Sequence, residues 1–217
     1  MIIAIDGPSG SGKSTLGRML AHALKLLYID TGSMYRAVAL AVLEEHVDPS
    51  DKEAVTALAN RIEIDLEGDP DSLSVLLNGR DITNQIRTES VTDMSSVVST
   101  IPGVRRAMVE RQRTMSNRGA VLNGRDIGTV VFPDADVKFF LTAVPEERAE
   151  RRYKEDQTAG TPVTFAETLA DMVERDRRDS TRVDSPLKVA DDAVVIDSTG
   201  KSIQQVFEEM MERVNHG

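Results

Sequence analysis

A glycine-rich segment near the N-terminus restricts the fold of this chain more than any other feature. Residues 7–14 read G-P-S-G-S-G-K-S and match the pattern G-x-x-x-x-G-K-[ST] at every fixed position. An apolar run over residues 1–5 precedes the segment, and a helical pattern of apolar residues over 15–26 follows it. Strand, loop and helix in this order place backbone N–H groups around a phosphate. The sequence therefore predicts an α/β protein with a loop that binds a nucleoside triphosphate.

The residue types of this loop predict individual roles. Its glycines allow successive backbone N–H groups to turn towards an anion. Lys13 is expected to reach the outer phosphates, and Ser14 to supply a hydroxyl ligand to Mg²⁺. The predicted contacts to the triphosphate are Gly7, Pro8, Ser9, Gly10, Ser11, Gly12, Lys13, Ser14 and Thr15.

Length and charge narrow the class of protein. The chain has 217 residues, enough for one α/β domain with an insertion, and its formal net charge is −10. This charge argues against nucleic acid or an anionic membrane surface as a partner. The chain has no cysteine and only three scattered histidines, which do not form a metal-ligand pattern. The longest apolar stretch, 37–43, is far shorter than the roughly 20 residues that span a bilayer, so we expect a cytoplasmic protein.

Short apolar runs alternate with helical patterns along most of the chain. This alternation predicts a three-layer α/β/α fold around a five-stranded parallel sheet. The expected strands are 2–5, 27–29, 120–122, 137–141 and 193–196. The expected helices are 13–25, 33–46, 51–60, 102–117, 145–156, 164–181 and 202–214.

The alternation is interrupted between about residues 62 and 87. Residues 62–66 and 73–76 have strand-like patterns and are separated by a turn-rich segment. Asn78-Gly79 is typical of a tight hairpin turn and leads to a third strand near Ile82. We therefore expect a small antiparallel insertion.

The hexapeptide L-N-G-R-D-I occurs twice, at 77–82 and at 122–127. The flanking residues differ, so we infer no internal repeat and interpret the first copy as a turn. The second copy ends a predicted strand, and ligands of open α/β sheets bind at the carboxyl ends of the strands. Arg125 and Asp126 are therefore candidate active-site residues.

Further candidates for binding an anionic second substrate follow another strand and occupy a late helix. The segment D-T-G-S-M-Y-R at 30–36 follows the second predicted strand. Arg175, Asp179 and Arg182 are spaced by four and three residues, so they share one helix face. Arginines stabilise the charge that is spread over a transferring phosphoryl group. The polar stretch 153–162, with its glycine and proline, fits a mobile lid, and a plain exposed turn fits it equally well.

Several separated signatures resemble those of the bacterial-type cytidylate kinase family, a group of nucleoside monophosphate kinases. They are I-D-G-P-S-G at 5–10 with the loop that follows, D-T-G at 30–32 with Y-R at 35–36, G-R-D at 124–126 with G-T-V-V-F-P at 128–133, and E-R-D at 174–176 through Arg182. The resemblance implies transfer of the γ-phosphoryl group of ATP to CMP or dCMP with Mg²⁺, by a monomer. It also implies a core of residues 1–60, 88–147 and 183–217, a monophosphate-binding insertion of about 61–87, and a helical lid of about 148–182.

The same resemblance implies roles for residues outside the phosphate loop. Ser96, Arg105 and Asp126 are expected to bind the base, and a carboxylate can indeed accept from the cytosine amino group. Catalytic contacts to the phosphates are expected from Lys13, Arg125, Arg175 and Arg182. The other implied positions are Thr31 near the nucleotide, Arg36 with Arg125 and Arg182 at the acceptor phosphate, Arg175 with Asp179 at the ribose, and Arg151 as a lid contact to ATP.

Two residues depart from the pattern of the family. Thr31 stands where a serine is common, and Asn123 stands where an acidic residue is frequent. Asn123 can hydrogen-bond a metal-bound water but supplies no charge. Ser14 is therefore the one residue predicted as a metal ligand.

Two other interpretations of the phosphate loop remain open at the level of sequence. A small-metabolite kinase, for shikimate or gluconate for example, shares the core but usually lacks so long a strand insertion. A regulatory GTPase belongs to a different class of protein. Residues 197–200 fit D-x-x-G, but they follow a late strand, and no N-K-x-D motif for guanine occurs in the chain.

Overall fold

The computed structural model describes residues 1–158, 160 and 162–216. It contains a five-stranded parallel sheet in the order β2-β6-β1-β7-β8 and a separate three-stranded antiparallel sheet, β3-β4-β5. The strands are β1 (Ile2–Asp6), β2 (Leu27–Asp30), β3 (Ile64–Glu67), β4 (Ser74–Leu77), β5 (Arg80–Asp81), β6 (Ala120–Gly124), β7 (Val137–Thr142) and β8 (Val194–Asp197). The predicted α/β fold and its five parallel strands are confirmed.

The helices of the described residues cover the parallel sheet and join the two sheets. They are α1 (Lys13–Leu24), α2 (Thr31–Glu44), α3 (Lys52–Arg61), α4 (Glu89–Val98), α5 (Pro102–Met115), α6 (Pro145–Thr158), α7 (Phe165–Thr181) and α8 (Ile203–His216). A 3₁₀ turn at Gln85–Arg87 and a π-helical turn at Ile127–Val131 complete the regular structure. In the described part of the chain, none of the helices has the length and apolar character needed to cross a membrane.

The central strand β1 fixes which loops meet at the edge of the sheet. Its residues Ile3, Ala4 and Ile5 have no exposed surface, because helices cover both faces of a parallel sheet. β1 pairs with β6 on one side and β7 on the other, and Asp6 lies opposite Gly124. The carboxyl ends of these parallel strands therefore lie side by side, which is where open α/β sheets bind ligands.

The antiparallel sheet contains the predicted hairpin. Leu77 pairs with Arg80 across a two-residue loop, and both loop residues have positive φ, 50° at Asn78 and 76° at Gly79. Two-residue loops with this geometry match the twist of the flanking strands, and Asn-Gly is their preferred sequence. The first copy of L-N-G-R-D-I is thus confirmed as a hairpin turn.

Helix α4 was not predicted from the sequence. Its residues E-S-V-T-D-M-S-S-V-V include no alanine or leucine and several residues with weak helix propensity. The helix is stabilised by packing instead, since Val91, Ser95 and Val98 form one buried face and α4 lies against α2. Tertiary contacts therefore determine the structure of this segment.

A glycine in α1 allows that helix to lie close to β2, beside the phosphate loop. A Cβ atom at Gly17 would lie 2.8 Å from Cε2 of Tyr28 and 3.6 Å from Cδ1 of Ile5. Real Cβ atoms do not approach an aromatic carbon so closely, and the buried Tyr28 ring has little room to move. Gly17 is therefore required by packing and not by backbone conformation.

Gly17→Ala is expected to lower the free energy of unfolding by about 1–3 kcal/mol because of overpacking. An exposed helix would show the opposite sign, since alanine is favoured over glycine by about 1 kcal/mol there. Urea unfolding of the wild type and the variant measures the change. The same substitution in a Tyr28→Ala background should cost nothing, and an equal loss in both backgrounds would contradict the proposed contact.

Candidate active site

The phosphate loop connects β1 to the N-terminus of α1. Gly12 occupies the N-cap of α1 with a φ of 94° and offers no side chain to cap the helix, so the first N–H groups of α1 are left for an anion. Gly7 lies so close to β7 that a Cβ atom would be 2.0 Å from the carbonyl oxygen of Leu141. The loop therefore has the backbone geometry that its sequence predicts.

Lys13 is buried within this loop, near the cations Arg125 and Arg175 and the carboxylates of Asp6 and Asp179. Its Nζ donates to the carbonyl oxygen of Pro8 at 2.6 Å and to Oγ of Ser11 at 3.4 Å. Burial lowers the pKa of Lys13 well below its usual value, and the charges of Arg125 and Arg175 lower it further. A site that destabilises its own ammonium group favours a bound anion.

A chain of ion pairs lies beside the loop and joins three parts of the fold. Nε of Arg125, which follows β6, donates to Oδ2 of Asp179 on α7 at 2.8 Å. Arg182, which follows α7, lies 3.5 Å from Oδ1 of Asp179 and 3.9 Å from Oδ1 of Asp126. Asp126 in turn accepts from Arg105 on α5. We call these five residues the arginine–aspartate network.

The arginine–aspartate network has more positive than negative charge. Burial raises the pKa of Asp179, but Arg125, Arg175 and Arg182 outweigh burial and hold that pKa below its usual value. Burial also lowers the pKa of Arg175 to about 10, and Arg125 adds to this effect. Within the described residues, the buried atoms Nε of Arg105 and Nη2 of Arg182 have no hydrogen-bond partner. Two buried donors without partners favour a ligand that brings acceptors.

At the Arg105–Asp126 end of the network, Arg105 also contacts an aromatic ring and a backbone carbonyl. The guanidinium carbon of Arg105 lies 5.5 Å from the ring centroid of Tyr35, which is a cation–π distance. Its Nη1 donates to the carbonyl oxygen of Ser99 at 3.1 Å. Ser96 is half-buried in the last turn of α4, and its carbonyl oxygen accepts from Oγ of Ser99 at 3.0 Å, so its contact with the base stays a prediction.

Three other predicted residues lie outside the arginine–aspartate network. Oγ1 of Thr31 donates to the carbonyl oxygen of Asn123 at 2.7 Å. Nη1 of Arg36 donates to the carbonyl oxygen of Ile86 at 3.3 Å. Arg151 forms hydrogen bonds with Glu147 on its own helix and with Ser198 at the end of β8, so its contact with ATP stays a prediction.

Arg182 differs from its predicted place in one respect. The expected shared helix face includes Arg175, Asp179 and Arg182, but α7 ends at Thr181 and Arg182 has the extended φ and ψ of −62° and 144°. The spacing still brings Arg182 to Asp179, because the C-cap residue follows the last helical turn. The predicted helix 164–181 therefore ends at the observed residue, and Arg182 contacts Asp179 from the C-cap position and not from a shared helix face.

Asp6 is a buried residue to which sequence reasoning gave no role. Its Oδ1 accepts from the amide of Ile127 at 2.8 Å and its Oδ2 from the amide of Gly128 at 2.7 Å. Burial raises the pKa of Asp6 to about 6, although the two amides oppose this rise. The available signal was a carboxylate at the end of a fully apolar strand.

Arg148 was also missed, since the sequence suggested an ordinary charged helix face. It is buried, and its Nη1 donates to the carbonyl oxygen of Ser9 at 2.9 Å and to Oδ2 of Asp176 at 2.6 Å. Its Nε donates to the carbonyl oxygen of Ala143 at 3.0 Å. Arg148 therefore ties the phosphate loop to α6 and α7.

The surroundings of Ser14 fit a hydrated divalent cation. Nδ2 of Asn123 donates to Oγ of Ser14 at 3.0 Å, and Oδ1 of Asn123 is buried without a hydrogen-bond partner among the described residues. Mg²⁺ prefers oxygen ligands and retains several waters, which such an acceptor can hold. The same residues contain no cluster of three or more acidic or histidine side chains that could bind a metal alone. Protein ligation would therefore come from Ser14, with Asn123 acting through water.

The raised pKa of Asp6 predicts an unusual pH dependence of stability. A carboxyl group whose folded-state pKa exceeds its unfolded value of 3.8 stabilises the fold fully below that value, and the contribution is lost as the pH rises through about 6. Between pH 5 and 7.5, the free energy of unfolding of the wild type should fall relative to that of Asp6→Asn by about 1–2 kcal/mol. Urea unfolding at both pH values checks this, and a difference that does not change with pH would contradict the raised pKa.

Comparison with known proteins identifies the family. A family model described as cytidylate kinase matches residues 3–216. A cytidylate kinase of Solibacter usitatus is 50% identical over 217 residues, covering 99% of this chain and 92% of its own length. One of Desulforamulus reducens is 50% identical over 216 residues, covering 99% and 97%. An uncharacterized protein from Eubacterium ventriosum, 11% identical, has a TM-score of 0.56 over 99% of this chain and 98% of its own, which supports the fold alone. The resemblance seen in the sequence is thereby confirmed, and the chain belongs to the cytidylate kinase family.

Proposed function

We propose that this protein transfers the γ-phosphoryl group of ATP to CMP or dCMP, releasing ADP and the corresponding diphosphate. One observation carries the proposal. Arg125 of the arginine–aspartate network lies close enough to Lys13 to lower its pKa, and the network contains two buried donors that have no hydrogen-bond partner among the described residues. A site for the donor phosphates is therefore next to a cationic site that requires acceptors from a second ligand. A nucleoside monophosphate supplies such acceptors on both its phosphate and its base.

The base is proposed to bind at the Arg105–Asp126 end of the network. An ionised Asp126 accepts from the N4 amino group of cytosine, while Arg105 and Ser96 donate to O2 and N3. Uracil presents an oxygen where cytosine presents the amino group. Two acceptors would then face each other with no proton between them, and a buried polar pair of this kind is costly. The proposal therefore includes discrimination against UMP.

The acceptor phosphate is proposed to bind among Arg36, Arg125 and Arg182. Its attacking oxygen is already anionic at neutral pH, so the reaction needs positioning and charge stabilisation and not a general base. Asp179 holds Arg125 through a 2.8 Å hydrogen bond to its Oδ2, and its Oδ1, 3.5 Å from Arg182, is proposed to accept from a ribose hydroxyl. Arg175, on the same helix face, neutralises charge that builds up during transfer.

The donor site is proposed to use the phosphate loop, Lys13 and Ser14. Mg²⁺, when bound, bridges the outer phosphates and offsets their charge. Residues 148–182 are proposed as a lid that excludes water, with Arg148 as its link to the loop and Arg151 as a contact to ATP. Residues 61–87 are proposed as part of the monophosphate-binding region. The enzyme is expected to act in the cytoplasm as a monomer.

The proposed contacts to the base predict which nucleotides the protein phosphorylates. With ATP and Mg²⁺, the protein should phosphorylate CMP and dCMP, and kcat/KM for UMP should be at least about tenfold lower because its base lacks the donor for Asp126. ADP release with CMP, dCMP, UMP, AMP and GMP at equal concentration measures this. Lys13→Ala serves as a folded control that should lose turnover. Turnover of none of these nucleotides would reopen the metabolite-kinase and GTPase interpretations.

The proposed contact between Asp179 and the ribose predicts a difference between CMP and dCMP. Asp179→Ala should reduce kcat/KM for CMP about tenfold more than for dCMP, because only CMP has a 2′-hydroxyl for this carboxylate. Steady-state kinetics with both nucleotides measures the ratio. Asp171→Ala, which removes an exposed carboxylate two turns earlier in α7, should change neither value. Equal losses for the two nucleotides would show that Asp179 acts only through Arg125.

A further inference from the structure

The side chain of Asp126 does not cap the helical turn that follows it. Asp126 is the N-cap of the π-helical turn Ile127–Val131, and an aspartate at an N-cap normally accepts from amides at the start of the helix. Here the side chain makes no such bond and pairs with Arg105 instead. The amides of Ile127 and Gly128 must therefore find another acceptor, because buried N–H groups are costly without one.

Asp6 supplies that acceptor from the neighbouring strand. It lies 121 positions before Ile127, yet each of its carboxylate oxygens accepts one of the two amides, at 2.8 and 2.7 Å. Register holds the group in place, since Asp6 lies opposite Gly124 in the sheet. Gly128 lies close to this carboxylate, since a Cβ atom at position 128 would be 3.4 Å from Oδ2 of Asp6.

The other copy of L-N-G-R-D-I provides an internal comparison. Asp81 occupies the position of Asp126 in the hexapeptide, and its Oδ1 accepts from the amide of Thr83, two residues later, at 2.8 Å. The equivalent amide in the second copy belongs to Gly128, and it donates to Asp6. The same aspartate therefore bonds locally in one copy, whereas in the other a distant carboxylate takes its place.

We infer that Asp6 caps this turn in place of Asp126, so that the Asp126 carboxylate stays paired with Arg105 and takes part in recognising the base. The inference rests on the proposed function, since it assumes that Asp126 binds cytosine. Asp6 is a positioning residue in this account and acts through Asp126. Asp6 also directly precedes Gly7, so its hydrogen bonds connect the start of the phosphate loop to the turn that follows Asp126.

Asparagine at position 6 separates this role from simple space filling. Its side chain has nearly the same shape, but it offers one acceptor oxygen and one NH₂ donor. One of the amides of Ile127 and Gly128 would lose its acceptor, and Asp126, the N-cap residue of the turn, carries a carboxylate of the kind that accepts from such amides. Asp126 would then be drawn from Arg105 towards its own turn, as Asp81 is.

The experiment is a double-mutant cycle on nucleotide selectivity. The ratio of kcat/KM for CMP to that for UMP is measured in the wild type, Asp6→Asn, Asp126→Asn and the double variant. Asp6→Asn should lower the ratio about tenfold or more while KM for ATP changes less than about threefold. In the Asp126→Asn background, Asp6→Asn should leave the ratio unchanged, because the group through which it acts is already altered.

Each other outcome has a distinct meaning. If Asp6→Asn slows CMP and UMP equally, its role is structural and the inference is wrong. Independent effects of the two substitutions on the ratio would also overturn it. A wild type without preference for CMP over UMP would instead refute the proposed function.

A second variant covers the case in which Asp6→Asn does not fold. Asp6→Ser leaves a single hydroxyl acceptor for the two amides that the Asp6 carboxylate accepts in the wild type. A folded Asp6→Ser protein should show a lower CMP to UMP ratio than the wild type. An unchanged ratio in that protein would contradict the inference.

Discussion

The hydrogen bonding of β1 between β6 and β7 is the constraint on which the rest of the site depends. This pairing sets Asp6 against Gly124, so the phosphate loop and the segment that carries Arg125 and Asp126 leave the sheet at one level. The apolar residues of β1 are fully buried, which makes any shift of register costly. The separation between the phosphate loop and the segment of Arg125 and Asp126 is thus determined by the sheet itself.

Charge in the site is arranged for a ligand and not for stability. Lys13 and Arg175 are buried cations whose pKa values are lowered by burial and by neighbouring arginines. Asp126 and Asp179 offset only part of this charge. Buried ions without full compensation destabilise a fold. A ligand that binds only the native state stabilises that state and so offsets the loss. The cost in stability and the affinity for anionic nucleotides therefore have one origin.

The sequence predicted those features that depend on local spacing. The glycine pattern predicted the loop, Asn78-Gly79 predicted the hairpin, and the spacing of Arg175 and Asp179 predicted a shared helix face. Helix α4 was missed because it depends on burial against α2 and not on propensity. Asp6 and Arg148 were missed for a related reason, since the amides and the loop carbonyl that they bind are more than a hundred positions away. The family resemblance implied that Arg105 and Asp126 both bind the base, but their ion pair was not predicted.

The two copies of L-N-G-R-D-I show how a fold assigns different tasks to one sequence. In the first copy, Asn78 adopts positive φ in the hairpin turn, and its side-chain oxygen accepts from the amide of Glu63, just before β3. In the second, Asn123 lies inside a buried strand, and its amide nitrogen donates to Ser14. The two aspartates also differ, since Asp81 accepts from the amide of Thr83, whereas Asp126 accepts from Arg105 and the amide of Gly128 donates to Asp6. In the second copy, Asp6 accepts the amides that Asp126 could cap, and the Asp126 carboxylate pairs with Arg105 instead. A tertiary hydrogen bond in place of a local one thus makes a side chain available for binding.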